Sequence, residues 1–223
     1  MMKSKRPART ASTILYVITS AVFICCSALL LFNGTTTGKK AMLLTVIAVT
    51  LPLLFATLLR GKSEDELCNK KRVIRSALFV LLAYYCIALV GLLFLGGRGD
   101  SQFANYNFVP FKSISAFVSE LVTGDYSSTK TIAIDNLLGN LALFAPMAIF
   151  LPCLFSPFRR WRLFLPVIAL IIIAVEFLQL AFRCGTCDID DFMLNFAGAV
   201  TAYAFIRLPF VHRLLIKMHC MDV

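Results

Sequence analysis

Several polar side chains lie near the ends of three hydrophobic segments. Their types and spacing make them the best candidates in this chain for ligand binding or catalysis. Asn136 and Asn140 are four residues apart, as are Asp191 and Asn195, so each pair shares a helix face. Polar groups gathered at one level predict a ligand-binding cavity, and a purely structural polar layer is the alternative. The predicted ligand-binding residues are Asn136, Asn140, Glu176, Gln179, Arg183, Asp191 and Asn195.

Glu176 is the only acid within its hydrophobic segment. An ionised carboxylate in apolar surroundings is costly, so Glu176 should face the protein interior and have a partner. Gln179 and Arg183 follow three and seven residues later, and a continuous helix places all three on one stripe. Arg183 can then bend its stem back towards Glu176. A functional carboxyl and a structural Glu–Arg pair both remain open.

The acids also permit an enzymatic interpretation. In that case Glu176 is the general acid or base, Asp190 or Asp191 is its partner, and Arg183 holds an anion. The simpler alternative is that Asp190 and Asp191 cap a helix start. No nucleophile–base pair is evident, so no catalytic residue is assigned.

Two further patterns in the same region are weaker signals. Three acids within Asp188–Asp191 offer oxygen ligands for a divalent cation, but no further ligand spacing accompanies them, so no metal site is predicted. Cys184 and Cys187 form a CxxC pair that could act in thiol exchange. A local disulfide or two free thiols is the favoured interpretation, and no cofactor is expected.

The composition identifies the surroundings of these residues. The chain has 223 residues, of which 59% are hydrophobic and 15% are charged, with a mean hydropathy of +0.83. Soluble domains typically have about 45–50% apolar and 25% charged residues. Disorder is excluded and an ordinary soluble enzyme is disfavoured. In such a chain the net charge of +10 indicates basic cytoplasmic loops, so no nucleic-acid partner is predicted.

Long uncharged blocks predict an all-α fold, a polytopic membrane bundle of about six transmembrane helices. Residues 1–102 should form an N-terminal three-helix region, residues 103–208 a second three-helix region, and residues 209–223 a cytoplasmic tail. The predicted spans are Ala11–Phe32, Ala41–Leu59, Ser76–Leu95, Asn136–Phe155, Leu163–Phe182 and Phe192–Leu208.

The basic residues predict the orientation of these spans. Sixteen of the 22 Lys and Arg residues fall on the side that holds both termini, and six fall on the other. Positive charge accumulates on the cytoplasmic side, so both termini of this multi-pass plasma-membrane protein should be cytoplasmic. The polar cluster then faces outwards. The outer loop Gly96–Asp135 contains apolar residues at helical spacing between Pro110 and Thr123, which predicts a short helix. That helix should lie in the outer interface or cover the bundle as a lid.

Four short blocks carry a resemblance to a known family. They are Asn107-Phe108-Val109-Pro110-Phe111, the stretch from Asn136 through Asn140 to Pro146, Glu176-Phe177-Leu178-Gln179, and the stretch from Asp188-Ile189-Asp190-Asp191 to Gly198. In their order and spacing they resemble the VanZ-like family over about residues 103–208. The family takes its name from a teicoplanin-resistance protein. The resemblance implies a bacterial envelope protein, often Gram-positive, with a possible role in glycopeptide resistance.

Three functions of different classes fit these residues. The favoured one is a non-enzymatic protein that binds a lipid-like molecule, a lipid-linked envelope precursor or a lipoglycopeptide at the outer leaflet. Arg183 would contact the anionic headgroup, and amide-rich surroundings bind without titrating. A binder of this kind should tolerate Asp190→Asn. The second function is an intramembrane enzyme that acts on an amphiphilic or lipid-linked substrate. A transporter is disfavoured because no inverted repeat or matched pair of broken helices is visible.

Overall fold

The computed structural model describes residues 64–95, 106–123, 127–217 and 220. The chain divides into two compact units, one of which consists of Leu93–Val211 and contains all of the predicted site residues. In chain order the helices are α1 (Glu64–Val90), α2 (Lys112–Thr123), α3 (Ser127–Leu143), α4 (Met147–Leu154), α5 (Trp161–Ala181), α6 (Ile189–Arg207) and α7 (Pro209–Lys217). A π-helical turn, Gly91–Leu95, follows α1, and a 3-10 turn, Ser156–Arg159, precedes α5.

Four stretches in the described residues are long and apolar enough to cross a membrane. They are Ile74–Phe94, Thr129–Leu154, Trp161–Ala181 and Ile189–Arg207. They correspond to the last four predicted spans. The other two, Ala11–Phe32 and Ala41–Leu59, lie outside the described residues, so the count of six stays a prediction. The span predicted from Asn136 begins earlier because α3 already starts at Ser127.

Proline breaks one of these spans. Pro146 has no backbone N–H and therefore cannot continue the hydrogen-bond ladder of α3, which ends at Leu143. The chain turns through Phe144–Pro146, and the backbone N–H of Met147 bonds to the carbonyl of Phe144 at 3.1 Å as α4 begins. Phe144 itself is fully buried. The chain thus makes a short turn at Pro146 between two helices.

The buried stripe of α5 shows which end of the bundle has a polar interior. Phe164, Ile168 and Ile172 recur at four-residue steps and are fully buried. Glu176 and Gln179 continue the same stripe and are also buried. The outward residues are apolar: Leu170 and Phe177 on α5, like Leu138 on α3, are exposed. Such a band suits lipid rather than water. The polar end of α5 therefore lies inside the protein and its apolar face outside.

The structure adds one short pairing of two strands to the predicted all-α fold. Two residues of the loop before α2, Tyr106–Asn107 (β1), pair in parallel with Cys187–Asp188 (β2), the last two residues before α6. Asn107 is opposite Asp188 in this pairing. The pairing holds the start of the loop against the polar end of the bundle. The predicted loop helix is α2, which packs along α3 and also contacts α6.

Candidate functional site

Asp188 connects the loop before α2 to the helices. Its side chain caps the start of α6 by accepting a hydrogen bond from the backbone N–H of Asp190 at 2.9 Å. The same oxygen accepts a bond from the Asn107 amide at 2.9 Å, and the other accepts one from the Ser113 hydroxyl at 2.5 Å. The backbone N–H of Asp188 points to Glu176 Oε2 at 3.4 Å. One buried carboxylate thus joins β1, α2 and α6, next to Glu176.

Asp190 holds the first turn of α2. Its Oδ1 accepts the backbone N–H of Phe111 at 2.6 Å, and its Oδ2 accepts those of Ser113 at 2.7 Å and Ile114 at 3.1 Å. The first N–H groups of a helix have no partner within the helix and favour negative charge. Asp190 supplies both acceptor and charge while only 1% exposed. Its carboxylate is a cap for a helix that lies 77 residues away in sequence.

A second polar contact joins α3 to α6. The Asn140 amide donates a hydrogen bond to Asp191 Oδ1, and Asn140 is buried. Further along the same face of α6, Gly198 lies directly against the backbone carbonyl of Leu141. Asn195 lies between these two contacts in sequence, is 3% exposed, and its Oδ1 has no hydrogen-bond partner. A buried acceptor without a partner is unusual and marks a place for a donor group or a water molecule.

The remaining predicted residues have other neighbours. Gln179 is buried and donates from Nε2 to the carbonyl of Leu93, in the π-helical turn, at 3.3 Å. Asn136 is only partly buried and bonds to the carbonyl of Ile132 in its own helix. The structure therefore brings Asn140, Glu176, Gln179, Asp191 and Asn195 to one end of the bundle, whereas Asn136 bonds within its own helix.

Arg183 does not continue the stripe of Glu176 and Gln179, contrary to the sequence prediction. Helix α5 ends at Ala181, and Arg183 has a left-handed backbone with φ of 53°. The N–H of Arg183 bonds to the carbonyl of Leu180 and that of Cys184 to the carbonyl of Gln179, which is the Schellman pattern of helix termination. The Arg183 side chain is exposed. The predicted stripe required the helix to continue through residue 183.

Asn107, Ser113 and Asp188 are central to this network and were not among the predicted site residues. Asn107 and Asp188 both occur in the blocks that carry the family resemblance, which was the available signal. Their pairing spans 81 residues, and no local spacing rule reveals a contact of that range. Ser113 had no distinguishing signal, because serine is ordinary at the start of a surface helix.

The acid–base alternative gains no support from this geometry. Both carboxylate oxygens of Asp190 already accept backbone N–H groups, and Asp191 accepts the Asn140 amide. Within the described ranges, no group of three or more His, Cys, Asp and Glu residues is arranged to hold a metal ion. The arrangement is suited to holding the loop before α2 against the helices.

Both cysteines of the CxxC pair are free thiols. Cys187 is buried in β2, and its burial, together with the neighbouring charges of Glu176 and Asp188, raises the pKa of its thiol. Cys184 is partly exposed, with its Sγ 3.7 Å from the carbonyl of Gln179. A buried thiol with a raised pKa is a poor nucleophile, which argues against thiol-exchange chemistry at Cys187.

Alkylation should therefore distinguish the two cysteines. A raised pKa lowers the thiolate fraction at every pH below that pKa, so Cys187 should react with iodoacetamide more slowly than Cys184 at pH 8. Raising the pH should increase the rate at Cys187. Peptide mapping by mass spectrometry gives both rates in one sample of the folded protein. Equal rates, or a faster Cys187, would contradict the buried environment described here.

The comparisons with known proteins agree with the resemblance. A model of the VanZ/LLP1 family matches residues 79–211, more than half of the chain. No curated protein and no solved structure matches. The matched range includes all four blocks and begins earlier than predicted, within α1. With four apolar stretches long enough to cross a membrane in its described residues, the chain is therefore a membrane protein of the VanZ/LLP1 family.

Proposed function

We propose that this protein binds an amphiphilic envelope molecule at the outer leaflet without transforming it. The ligand is lipid-like: a membrane lipid, a lipid-linked wall precursor or an acylated glycopeptide. In the last case binding would give resistance to teicoplanin-type antibiotics. The observation that carries the proposal is a group of exposed apolar residues at the start of α2, in a segment that two carboxylates hold in place. Asp190 accepts the backbone N–H groups of Phe111 and Ser113, and Asp188 accepts the Ser113 hydroxyl.

These apolar residues form what we call the aromatic tip: Tyr106, Phe108, Val109 and Phe111. Tyr106 is 69% exposed and Phe111 is 58% exposed, and the rings of Tyr106 and Phe108 stack at 5.6 Å. A water-soluble surface rarely holds so many apolar side chains together. Aromatic residues concentrate at the headgroup level of membranes. Since hydrogen bonds fix its backbone, the tip has little entropy to lose when it contacts an acyl chain.

Two groups of the same compact unit are candidate partners for the polar part of the ligand. Asn195 Oδ1 is a buried acceptor without a partner, which suits a hydroxyl, amide or ammonium donor. The exposed Arg183 is available to an anionic headgroup, since a guanidinium binds phosphate or carboxylate with two parallel hydrogen bonds. These groups support a ligand that has both an acyl chain and a polar head.

The test compares ligands that differ only in the acyl chain. An acylated glycopeptide should bind the purified protein at least about tenfold more tightly than its deacylated core, because burial of two methylene groups alone contributes about 1.6 kcal/mol. Phe108→Ala should reduce this difference, whereas Phe205→Ala, which removes an equally exposed ring towards the far end of α6, should not. Cells with and without the protein should differ in susceptibility to the acylated compound only. Equal binding of the two compounds would exclude the acylated glycopeptide as the ligand and, with it, the proposed resistance to teicoplanin-type antibiotics.

Glu176→Gln tests the polar cluster. The amide keeps the size of the side chain and removes its charge, so the protein should remain inserted and folded while ligand retention or resistance is lost. Expression, thermal unfolding and ligand binding are measured on the same variant. Loss of folded protein would instead make Glu176 a structural residue, because it would indicate that a buried partner has been left unpaired. Full activity with normal expression would remove Glu176 from the proposed site.

The proposed location requires both termini to be cytoplasmic. Cysteines introduced at Ser101 or Ser127 should then react with a membrane-impermeant maleimide in intact cells, and native Cys68 should not. The experiment uses a variant in which Cys184 and Cys187 are serine, because these two residues are predicted to lie on the same outer side. Labelling of Cys68 alone would reverse the orientation and place the aromatic tip in the cytoplasm.

A further inference from the structure

The corner between α4 and α5, at the opposite end of the bundle from the aromatic tip, is rich in arginine. Residues 156–162 read Ser-Pro-Phe-Arg-Arg-Trp-Arg and include no acid. The 3-10 turn Ser156–Arg159 forms the corner, and α5 begins at Trp161. The distribution of basic residues predicts that this end faces the cytoplasm.

Arg159 stabilises the corner rather than facing outwards. Its Nε donates to the carbonyl of Pro152 at 3.2 Å. Its own carbonyl accepts hydrogen bonds from the Tyr203 hydroxyl at 2.7 Å and from Arg207 Nη1 at 3.0 Å. The Tyr203 ring stacks on Phe164 at 4.3 Å. These contacts fix the turn to α6 and bring the Arg207 guanidinium beside it.

Three other arginines at this corner remain accessible. Arg160, Arg162 and Arg207 are all exposed, and Arg207 uses only one of its five N–H donors on Arg159. Trp161 is 56% exposed, and the Arg162 guanidinium lies 5.5 Å from the centre of its ring. Arg160 is the N-cap residue of α5, and its side chain makes no capping hydrogen bond to the helix.

We infer that this corner binds the phosphate headgroup of an anionic phospholipid in the adjoining leaflet. Arginine guanidinium groups match phosphate with paired hydrogen bonds, and basic groups between membrane helices are recognised lipid sites. Trp161 favours the headgroup level. The inference is independent of the proposed function.

The position of the corner favours a lipid over soluble phosphate. Three candidate spans, Thr129–Leu154, Trp161–Ala181 and Ile189–Arg207, begin or end there, which places the arginines at headgroup depth. Leu163, in the same span as Trp161, and Leu208, which directly follows Arg207, are exposed apolar residues. A bound lipid would place its phosphate on the arginines and its acyl chains on this apolar surface.

Native mass spectrometry of the purified full chain can measure this preference. The protein is equilibrated with equimolar phosphatidylglycerol and phosphatidylcholine of identical acyl chains, and retained lipids are counted. The wild type should retain phosphatidylglycerol preferentially. Arg160→Ala with Arg162→Ala should reduce that preference about 30-fold, since each basic residue near anionic lipid contributes ~1 kcal/mol. Both side chains are exposed, and each single substitution should reduce it about fivefold.

The matched control removes two basic side chains from the other end of the bundle. Lys112→Ala with Lys130→Ala changes the net charge by the same amount and should leave the preference unchanged. An equal loss in this control would show a general charge effect and overturn the inference. Displacement of the retained lipid by excess inorganic phosphate would also overturn it, because the site would then bind soluble anions.

Discussion

Asp190→Asn is expected to release the first turn of α2 from the bundle. The carboxylate accepts three backbone N–H groups, one on Oδ1 and two on Oδ2. An amide has only one acceptor oxygen, so in either orientation at least one N–H faces an NH₂ group and is left without a partner. Each buried unsatisfied donor costs about 1–3 kcal/mol, and loss of the negative charge at the helix start adds about 0.5–1 kcal/mol.

Hydrogen exchange is the direct measurement of this release. Protection of the amides at Phe111, Ser113 and Ile114 should fall by about one to three orders of magnitude, as a loss of roughly 1.5–4 kcal/mol requires. Asp190→Ala should have a larger effect, because all three acceptor contacts are lost. Glu120→Gln is the matched control, since it removes a carboxylate from α2 itself without touching the first turn. Wild-type protection in both Asp190 variants would show that the cap is dispensable.

This expectation reverses the one drawn from sequence. Asp190 was expected to tolerate the amide because a binding protein needs no proton transfer. In the structure Asp190 instead holds the aromatic tip in place. Its carboxylate is therefore necessary even if the protein catalyses no reaction. Loss of ligand retention in Asp190→Asn would then follow from release of the tip, and it would not by itself indicate an enzyme.

The membrane-spanning elements could be predicted because their signal is local. About 20 apolar residues suffice to define a span, and the third to sixth predicted spans correspond to helices in the structure. The break at Pro146 was also predictable, since a missing N–H acts within one turn. Likewise, burial of Glu176 follows from the cost of a charge in lipid.

The connections between elements could not be predicted, because their signal is not local. The parallel pairing of Tyr106–Asn107 with Cys187–Asp188 involves only two residues on each side, which is too short for an alternating pattern. The end of α5 carries no glycine at the left-handed position, which Arg183 occupies, so the helix appeared to continue. For that reason the prediction that Glu176, Gln179 and Arg183 share one stripe of a continuous helix is wrong.

Gly198→Ala should separate α3 from α6. A Cβ built on Gly198 would lie 1.7 Å from the carbonyl oxygen of Leu141 and 2.7 Å from its carbonyl carbon. Backbone atoms cannot rotate away as a side chain can, so the helices must move apart at this point. Small residues at helix interfaces in membranes permit such close contacts. The hydrogen bond between Asn140 and Asp191 joins the same two helices, so the movement should weaken that bond as well.

The expected loss is at least about 3 kcal/mol, the upper part of the range for overpacking, because the obstruction is backbone. Unfolding of the purified protein in a denaturing detergent measures the loss, and Gly198→Leu should yield no folded protein. Gly91→Ala is the matched control: a Cβ there meets no heavy atom within 4 Å, so it should unfold like the wild type. If Gly198→Ala were as stable as Gly91→Ala, α3 and α6 could not be in the close contact that positions Asn140, Asp191 and Asn195.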